Sequence, residues 1–168
     1  MPADFSDAAY DAAVDSIRRL PVLLSSATKE LTDEQLKTPY RPGGWTVRQV
    51  VHHIADSHIN AYVRVKWALT ENLPTIKTYD EVEWANLFDG SAADIDVSLR
   101  LVDALHRRWS MLLAELSEGQ RSRTITHPEW GAVTVDYLVA QYAWHGKHHV
   151  AHITSLSARR GWVSIEQE

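Results

Sequence analysis

Histidine is the residue type in this chain with the most chemical potential, because there are nine histidines and no cysteine. Without thiols there can be no disulfide, no thiolate nucleophile and no cysteine-based zinc site, so a bound metal would depend on imidazole and oxygen ligands. Seven of the nine histidines fall in two short segments, VVHHIADSHIN and WHGKHHVAH. These segments could bind a divalent transition metal.

The second segment lies in the last predicted helix, whose apolar stripe consists of Val135, Leu138, Tyr142, Ile153 and Leu156. His145 and His149 fall inside this stripe, whereas His148 lies off it and His152 at its edge. Their i, i+4 spacing stacks two imidazoles one turn apart, where both can reach one ion. Burying two rings without partners would cost on the order of 1 to 3 kcal/mol each. From the spacing alone, two interpretations are about equally favoured: the pair binds a metal, or both residues are core histidines that form hydrogen bonds with carbonyl groups.

A third ligand is expected from another helix, because catalytic sites of this type have three protein ligands and an open position. The first segment offers three histidines, on a helix whose apolar stripe is Val47, Val50, Ile54, Ala61, Val65 and Ala68. The stripe places His52 nearly opposite the core, so we predict that His52 is solvated. His53 lies on the flank and His58 within the stripe. Periodicity therefore leaves His53 and His58 as alternatives.

Four long amphipathic segments could position these histidines. They are predicted from Ser6 to about Leu31 with a kink at Pro21, from Trp45 to near Glu71, from Leu99 to Leu116 with closure at Gly119, and from Thr134 to Gly161. Short helices are expected after Thr32 and between Tyr79 and Phe88, and Asp89, Gly90 and Ser91 are expected to end the second of them. A polar connection is expected around His127, Pro128 and Gly131. The one strand candidate, Ala132 to Val135, is explained equally well by a helix start. We therefore predict an all-α four-helix bundle with short extra helices, as a single domain over residues 1–168.

Composition excludes several partners. The net charge of -5 comes from 22 acidic and 17 basic residues that are mixed along the chain, so no basic block is present to bind nucleic acid. No apolar run approaches the roughly 20 residues that span a bilayer, and the N-terminus is acidic and Ala-rich, unlike a signal peptide. We expect a cytoplasmic protein that acts on a small-molecule substrate.

Three long segments resemble the DinB-like four-helix-bundle metalloproteins, and within them the metal-dependent hydrolases of the YfiT type. They are YRPGGWTVRQVVHHIADSHIN at residues 40–60, KWALTENLP at residues 66–74 and WHGKHHVAHITSL at residues 144–156. The resemblance covers nearly the whole chain. In this superfamily the first metal ligand is a histidine eight residues after the Trp of a W[ST] turn, which from Trp45 leads to His53. The resemblance therefore selects His53 over His58, and its HxxxH pair maps onto His145 and His149.

Three neutral imidazoles suit zinc or nickel better than magnesium or calcium. The open position would hold a water whose pKa falls to about 7, and the resemblance implies that this water is used for hydrolysis. We expect His58 to be a candidate proton shuttle. Asp56 either orients the imidazole of His53 or is a plain exposed carboxylate, and Tyr142 either lines the pocket or packs in the core.

Two other functions are compatible with the same residues. Some DinB-like relatives conjugate a low-molecular-weight thiol to an electrophile, and a thiol S-transferase of that kind would be favoured by basic groups at the bundle mouth, such as Arg41, Arg48, Arg64 or Lys66. A non-catalytic metal-binding stress module would be favoured by an enclosed ion with a fourth protein ligand. Seven tryptophans, together with the resemblance, suggest a homodimer.

Overall fold

The computed structural model describes residues 6–162. Its four long helices are α1 (Asp7–Thr28), α3 (Val47–Thr70), α6 (Ile95–Ala114) and α8 (Val135–Arg160). The connections carry the short helices α2 (Asp33–Leu36), α4 (Glu81–Asn86), α5 (Phe88–Ser91) and α7 (Glu118–Arg121) and a hairpin of β1 (Thr124–His127) and β2 (Gly131–Thr134). The predicted all-α four-helix bundle with short extra helices is confirmed.

The order of the four helices around the bundle differs from their order in the chain. Helix α1 packs against α6 and α8, and α3 packs against the same two helices. Helices α1 and α3 are therefore diagonal neighbours, as are α6 and α8, so the chain crosses the bundle after α1 and again after α6. This topology brings α3 and α8, which carry the two histidine segments, side by side.

Side-chain caps define the starts of the two histidine-bearing helices. Thr46 and Gln49 form a reciprocal capping box at the start of α3, and Thr134 accepts a hydrogen bond from the backbone N–H of Tyr137 at the start of α8. These caps satisfy backbone donors that have no partner within the helix. Helix α8 ends where Gly161 adopts a left-handed conformation with φ 64°. The predicted bounds of both helices are confirmed.

Helix α1 runs through Pro21 without interruption. Proline has no backbone N–H, so the carbonyl of Ile17, four residues earlier, loses its normal helical partner. The Nδ1 atom of His106 on α6 lies 2.6 Å from that carbonyl oxygen and donates the missing hydrogen bond. A buried side chain of a neighbouring helix thus compensates for the proline, and it ties α1 to α6.

Three local predictions were wrong. Gly119 does not close the third long helix, which ends at Ala114, because Gly119 lies within the separate turn α7. Asp89, Gly90 and Ser91 belong to α5 rather than to a loop. The polar connection before α8 forms a hairpin in which Ile125 pairs with Val133, and both side chains are buried. Of the two alternatives for Ala132 to Val135, the strand applies as far as Thr134 and the helix start applies to Val135.

The hydrophobic core forms two clusters along the bundle. One surrounds Trp109, Leu113 and Leu138, and the other surrounds Leu24, Ile54 and Ile153. Between the two clusters α1 and α8 approach closely at Gly146, where a Cβ atom would lie 2.6 Å from a methyl carbon of Leu20. Within residues 6–162, no helix is sufficiently long and apolar to span a membrane.

Candidate metal centre

The histidines of the two segments meet where α3 and α8 pack together. His53, His145 and His149 each offer a ring nitrogen, and these three atoms lie within 4.8 Å of one another. The Nε2 atoms of His53 and His145 are 3.2 Å apart. We call these three residues the three-histidine cluster. They are the residues that the sequence argument selected, and the structure brings them together.

The loop before α3 packs an aromatic side chain onto the cluster. Tyr40 and Trp45 are joined by a backbone hydrogen bond of 3.0 Å, and Pro39 forms an isolated bridge with Thr46. The ring of Trp45 lies 4.5 Å from that of His53 and 6.4 Å from that of His149. The loop that delivers the helix cap therefore also covers one side of the cluster and restricts the rotation of two imidazoles.

Burial keeps the cluster uncharged. Desolvation lowers the pKa of His53 to about 4. Burial, with a contribution from neighbouring His53, lowers the pKa of His145 to about 3. Burial, followed by the adjacent rings of His145 and His53, lowers the pKa of His149 to about 2. All three imidazoles are therefore neutral at physiological pH, which is the form that binds a metal.

The donor set fits a transition metal ion. The Nε2 atoms of His53 and His145, 3.2 Å apart, are close enough to bind one ion, and Nδ1 of His149 is buried without a hydrogen-bond partner among the described residues. Buried polar atoms in folded proteins normally have a partner, so this arrangement is costly in the absence of an ion. Three neutral nitrogen donors suit zinc, nickel or iron(II).

The prediction that His52 is solvated was wrong, because this side chain is only 4% exposed. Its Nδ1 atom lies 2.7 Å from the hydroxyl of Ser98, and its Nε2 atom lies 3.1 Å from the carbonyl oxygen of Ala93. The start of α6 and the residues before it cover the face of α3 that a single apolar stripe leaves to solvent. Both nitrogens of His52 are used there, away from the cluster.

The remaining histidines of α8 lie outside the cluster. His148 is exposed and stacks on Trp144, with ring centroids 4.6 Å apart. His152 stacks on Tyr40 at 4.0 Å and is half-buried. Their positions agree with the helical wheel, which placed His148 off the apolar stripe and His152 at its edge.

A second pair of histidines lies behind the cluster, inside the bundle. His58 and His106 are fully buried, and their ring centroids are 4.9 Å apart. The Nε2 atom of His58 lies 3.2 Å from Nδ1 of His145. Burial, reinforced by the rings of His106 and His145, holds the pKa of His58 well below its usual range. His58 thus contacts the inner nitrogen of a cluster residue and has no exposed surface.

The structure also places two other candidates. Asp56 is half-buried, and burial together with Asp89 raises its pKa to about 6, but no hydrogen bond to His53 is formed. Tyr142 is 7% exposed, and its hydroxyl oxygen accepts a hydrogen bond of 3.2 Å from Arg64. Tyr142 both packs in the core and lines a cavity.

The cluster forms part of the wall of an open cleft of about 670 Å³, which we call the metal-side cleft. Its charged lining residues are Arg41 and Glu81. The other side chains in the lining include Trp45, Gln49, Asn86, Trp144 and five histidines. Glu81 could not be identified as a site residue from the sequence, since the spacing of Glu81 relates it to neither histidine segment. It reaches the cleft because α4 packs against α3.

The four basic residues proposed for the bundle mouth are not gathered there. Only Arg41 lines the metal-side cleft. Arg48 is buried and bonded to Asp33 and to the carbonyl of Ala93. The Lys66 ammonium lies over the ring of Tyr62, and Arg64 lines a separate cavity.

The fold and the three-histidine cluster together define the class of protein: a helical bundle in which two adjacent helices bring three histidines together. The model of the DinB superfamily matches residues 16–153, so this chain belongs to the DinB superfamily.

Among its relatives, a protein from Oceanobacillus iheyensis is 54% identical over 149 residues, which cover 89% of this chain and 86% of the relative. One from Bacillus cereus is 52% identical over 152 residues, or 90% of this chain and 87% of the relative. Both are named as candidate metal-dependent hydrolases.

Solved structures place the chain in the same group. YfiT from Bacillus subtilis, described as a candidate metal-dependent hydrolase with an unusual four-helix-bundle topology, matches with a TM-score of 0.94 and 45% identity, over 97% of this chain and 94% of YfiT. A mycothiol-dependent maleylpyruvate isomerase matches at 17% identity with a TM-score of 0.69, over 86% of this chain and 60% of the isomerase. This second likeness concerns the fold alone.

Proposed function

We propose that this protein is a metal-dependent hydrolase in which His53, His145 and His149 bind one divalent ion, zinc or nickel. The observation that carries the proposal is the placement of three neutral imidazoles within 4.8 Å of one another at the wall of an open cleft. A bound ion would supply Lewis acidity, which generates hydroxide from water at neutral pH and polarises a carbonyl. Its substrate is a small molecule that fits the cleft.

We propose that His58 is a positioning residue rather than a proton shuttle. A neutral His145 that offers Nε2 to an ion carries its proton on Nδ1, and Nε2 of His58 lies 3.2 Å from that atom as the acceptor. His58 must then carry its own proton on Nδ1. Because His58 has no exposed surface, it holds the orientation and tautomer of His145 and does not exchange protons with the cleft.

Glu81 is the proposed general base. It is the only carboxylate in the lining of the metal-side cleft among the described residues, and its side chain is exposed and makes no described hydrogen bond or ion pair. Proton transfer by a positioned carboxylate contributes about 100- to 10,000-fold to a rate. The Glu81→Gln variant is expected to bind metal normally and to lose activity on that scale.

The charge of the cleft ranks hydrolysis above thiol transfer. An anionic thiol cosubstrate bound within the metal-side cleft would be favoured by an excess of basic groups there, whereas Arg41 and Glu81, the two charged residues of its lining, balance each other. The non-catalytic alternative would be favoured by an enclosed ion with a fourth ligand. The described residues supply no fourth histidine or carboxylate to the cluster, and the cluster is open to the cleft.

Two measurements test the proposal. Metal analysis of the purified protein should find about one equivalent of zinc or nickel per chain. The metal-loaded protein should then be tested in parallel with ester and amide substrates and with a thiol plus an electrophile. Hydrolysis of an ester or amide supports the proposal, while conjugation without hydrolysis would establish the thiol transferase in its place.

Assembly as a homodimer, a single domain over residues 1–168 and a cytoplasmic location belong to the same proposal. Four tryptophans, Trp67, Trp84, Trp130 and Trp144, are 38 to 55% exposed, and aromatic side chains are enriched at interfaces between subunits. Light scattering should return about twice the chain mass of 19.0 kDa. A mass near 19 kDa at micromolar concentration would contradict the dimer.

A further inference from the structure

A second cavity, of about 430 Å³, opens on the other side of His145. Its lining is Ser57, Arg64, Thr78, Tyr79, Asp80, Glu81, His127, Glu129, Trp130, Gln141, Tyr142 and His145. We call it the arginine pocket. His145 and Glu81 line both this pocket and the metal-side cleft, so the two spaces meet at the cluster.

Arg64 differs from the other buried arginines of the described chain. Arg48, Arg64 and Arg121 are 7%, 6% and 8% exposed. Arg48 is paired with Asp33, and Arg121 is paired with Asp7 at 2.8 Å and with Asp136 at 3.0 Å. No carboxylate within residues 6–162 pairs with Arg64. A buried cation without a counterion is costly, so its presence calls for an explanation.

The contacts of Arg64 are all to neutral groups. Its Nη1 donates to the Tyr142 hydroxyl at 3.2 Å and its Nη2 to the Lys77 carbonyl at 3.5 Å. Burial raises the pKa of Tyr79 to about 12 and raises that of Tyr142 above its ordinary value, so neither phenol ionises to balance the charge. Among residues 6–162, no group therefore balances the charge of the guanidinium, and some of its N–H donors have no described acceptor.

The rest of the pocket wall is suited to a flat or apolar group that ends in an anion. His127 and Trp130 stack at 4.0 Å, and the phenol rings of Tyr79 and Tyr142 add further apolar surface. The backbone N–H of Glu129 donates to Nδ1 of His127, so a neutral His127 carries its proton on Nε2 as an additional donor.

The acidic residues of the pocket restrict the charge of its ligand. Glu81 and Glu129 are exposed at the rim, and the Asp80 carboxylate accepts two backbone hydrogen bonds as the cap of α4. These rim carboxylates disfavour a dianion more strongly than a monoanion. A single carboxylate fits this balance better than a phosphate.

We propose that the arginine pocket binds a carboxylate of the substrate through Arg64, so that the molecule extends past His145 toward the three-histidine cluster. This inference rests on the proposed function, since it names the class of substrate that the same site would hydrolyse: an ester or amide that carries a carboxylate. The carboxylate supplies the counterion that Arg64 lacks.

Binding of benzoate and its neutral isostere benzamide to metal-free protein tests the proposal by calorimetry. Wild-type protein should bind benzoate more tightly than benzamide, and Arg64→Gln should reduce benzoate affinity by about tenfold or more while benzamide affinity is unchanged. Arg64→Lys, which keeps the charge, should recover part of the preference. Arg100→Gln, which removes an exposed cation of α6, is the control and should leave both affinities unchanged.

A second variant covers the possibility that Arg64→Gln does not fold. Trp130→Ala removes a 50% exposed ring at the hairpin and should weaken benzoate and benzamide alike. Phenyl phosphate bound more tightly than benzoate would overturn the assignment to a carboxylate. Benzoate binding that depends on Arg41 and is insensitive to both Arg64 and Trp130 would overturn the pocket itself.

These outcomes are independent of catalysis, because the binding experiment uses metal-free protein. Selective benzoate binding through Arg64 in a protein without hydrolase activity would reject the proposed function and retain the pocket. Hydrolase activity in a protein whose benzoate binding does not depend on Arg64 would retain the proposed function and reject the pocket.

Discussion

The two ring nitrogens of His145 face opposite environments. On its outer side, Nε2 meets His53 and His149 at the wall of a cleft that is open to ligands. On its inner side, Nδ1 meets His58, behind which His106 is fully buried. Burial lowers the pKa of the histidines on both sides, so a depressed pKa does not distinguish them.

Access and bonding distinguish the two sides instead. The inner histidines have no route to solvent, and His106 already donates to the carbonyl that Pro21 leaves free. The outer histidines converge on one point and line a cleft. Buried histidines therefore suggest a site only when their unused nitrogens point at a common, accessible position. The following predictions test this distinction in order of their expected effect on metal binding.

The outer side should be required for any stoichiometric metal. Substituting His53, His145 or His149 by Ala leaves two imidazoles, so each variant should lose nearly the whole equivalent of metal as measured by elemental analysis. His148→Ala, which removes an exposed ring, and His52→Ala should retain it. A full equivalent in His53→Ala together with loss in His52→Ala would contradict the assignment.

The contact between the two sides should tune affinity without abolishing it. His58→Phe removes the acceptor for Nδ1 of His145 and should weaken metal binding by about 10- to 100-fold in a chelator competition. His58→Gln, whose side-chain oxygen can accept the same hydrogen bond, should lose less. Equal dissociation constants for wild type and His58→Phe would show that His58 only packs.

Acid should affect folding before it affects the folded site. The pKa values of about 4, 3 and 2 mean that His53, His145 and His149 are neutral in the folded protein at pH 5, so protons compete weakly for them. In the unfolded chain the same imidazoles have a pKa near 6.5 and take up protons. Because the unfolded state then binds more protons, the free energy of unfolding should fall as pH drops from about 6.5 toward 4.

This pH dependence can be measured separately for folding and for binding. Urea unfolding of metal-free protein at pH 7.5 and pH 5 should give a lower stability at pH 5, while metal affinity of the still-folded protein should change by less than about tenfold. A steep loss of affinity between pH 7 and 6 would mean that the cluster titrates like solvated histidine.

The innermost histidine should have the smallest effect on metal. His106→Leu leaves the carbonyl of Ile17 without a donor and should cost about 1 to 3 kcal/mol of unfolding free energy, with little change in metal affinity. In a Pro21→Ala background the restored N–H of residue 21 can bond the same carbonyl, so the cost should be smaller there. An equal cost in both backgrounds would show that the bond to Ile17 is not what His106 contributes.

Much of the fold could be read from the sequence. Thr46, Thr134 and Gly161 mark helix ends through local chemistry, and the long apolar stripes mark the bundle. The i, i+4 pair on α8 was accessible for the same reason, because helical spacing is a local property. The short helix predicted between Tyr79 and Phe88 is α4, but α5 and the strand β1 were missed, and β2 was left open between a strand and a helix start. Such short elements form mainly through contacts with the rest of the chain.

The sequence by itself determined which long helices form and which face of α8 is buried. Through the resemblance, it also indicated which three histidines come together. Only the tertiary structure decided the environment of each ring and charge. It covered the supposedly solvated His52, placed His58 behind His145 and brought Glu81 to the cleft. It also buried Arg64 without a carboxylate partner among residues 6–162. The physical reason is that helical periodicity depends on neighbours within a few residues, whereas burial and pairing depend on which distant elements pack against a given face.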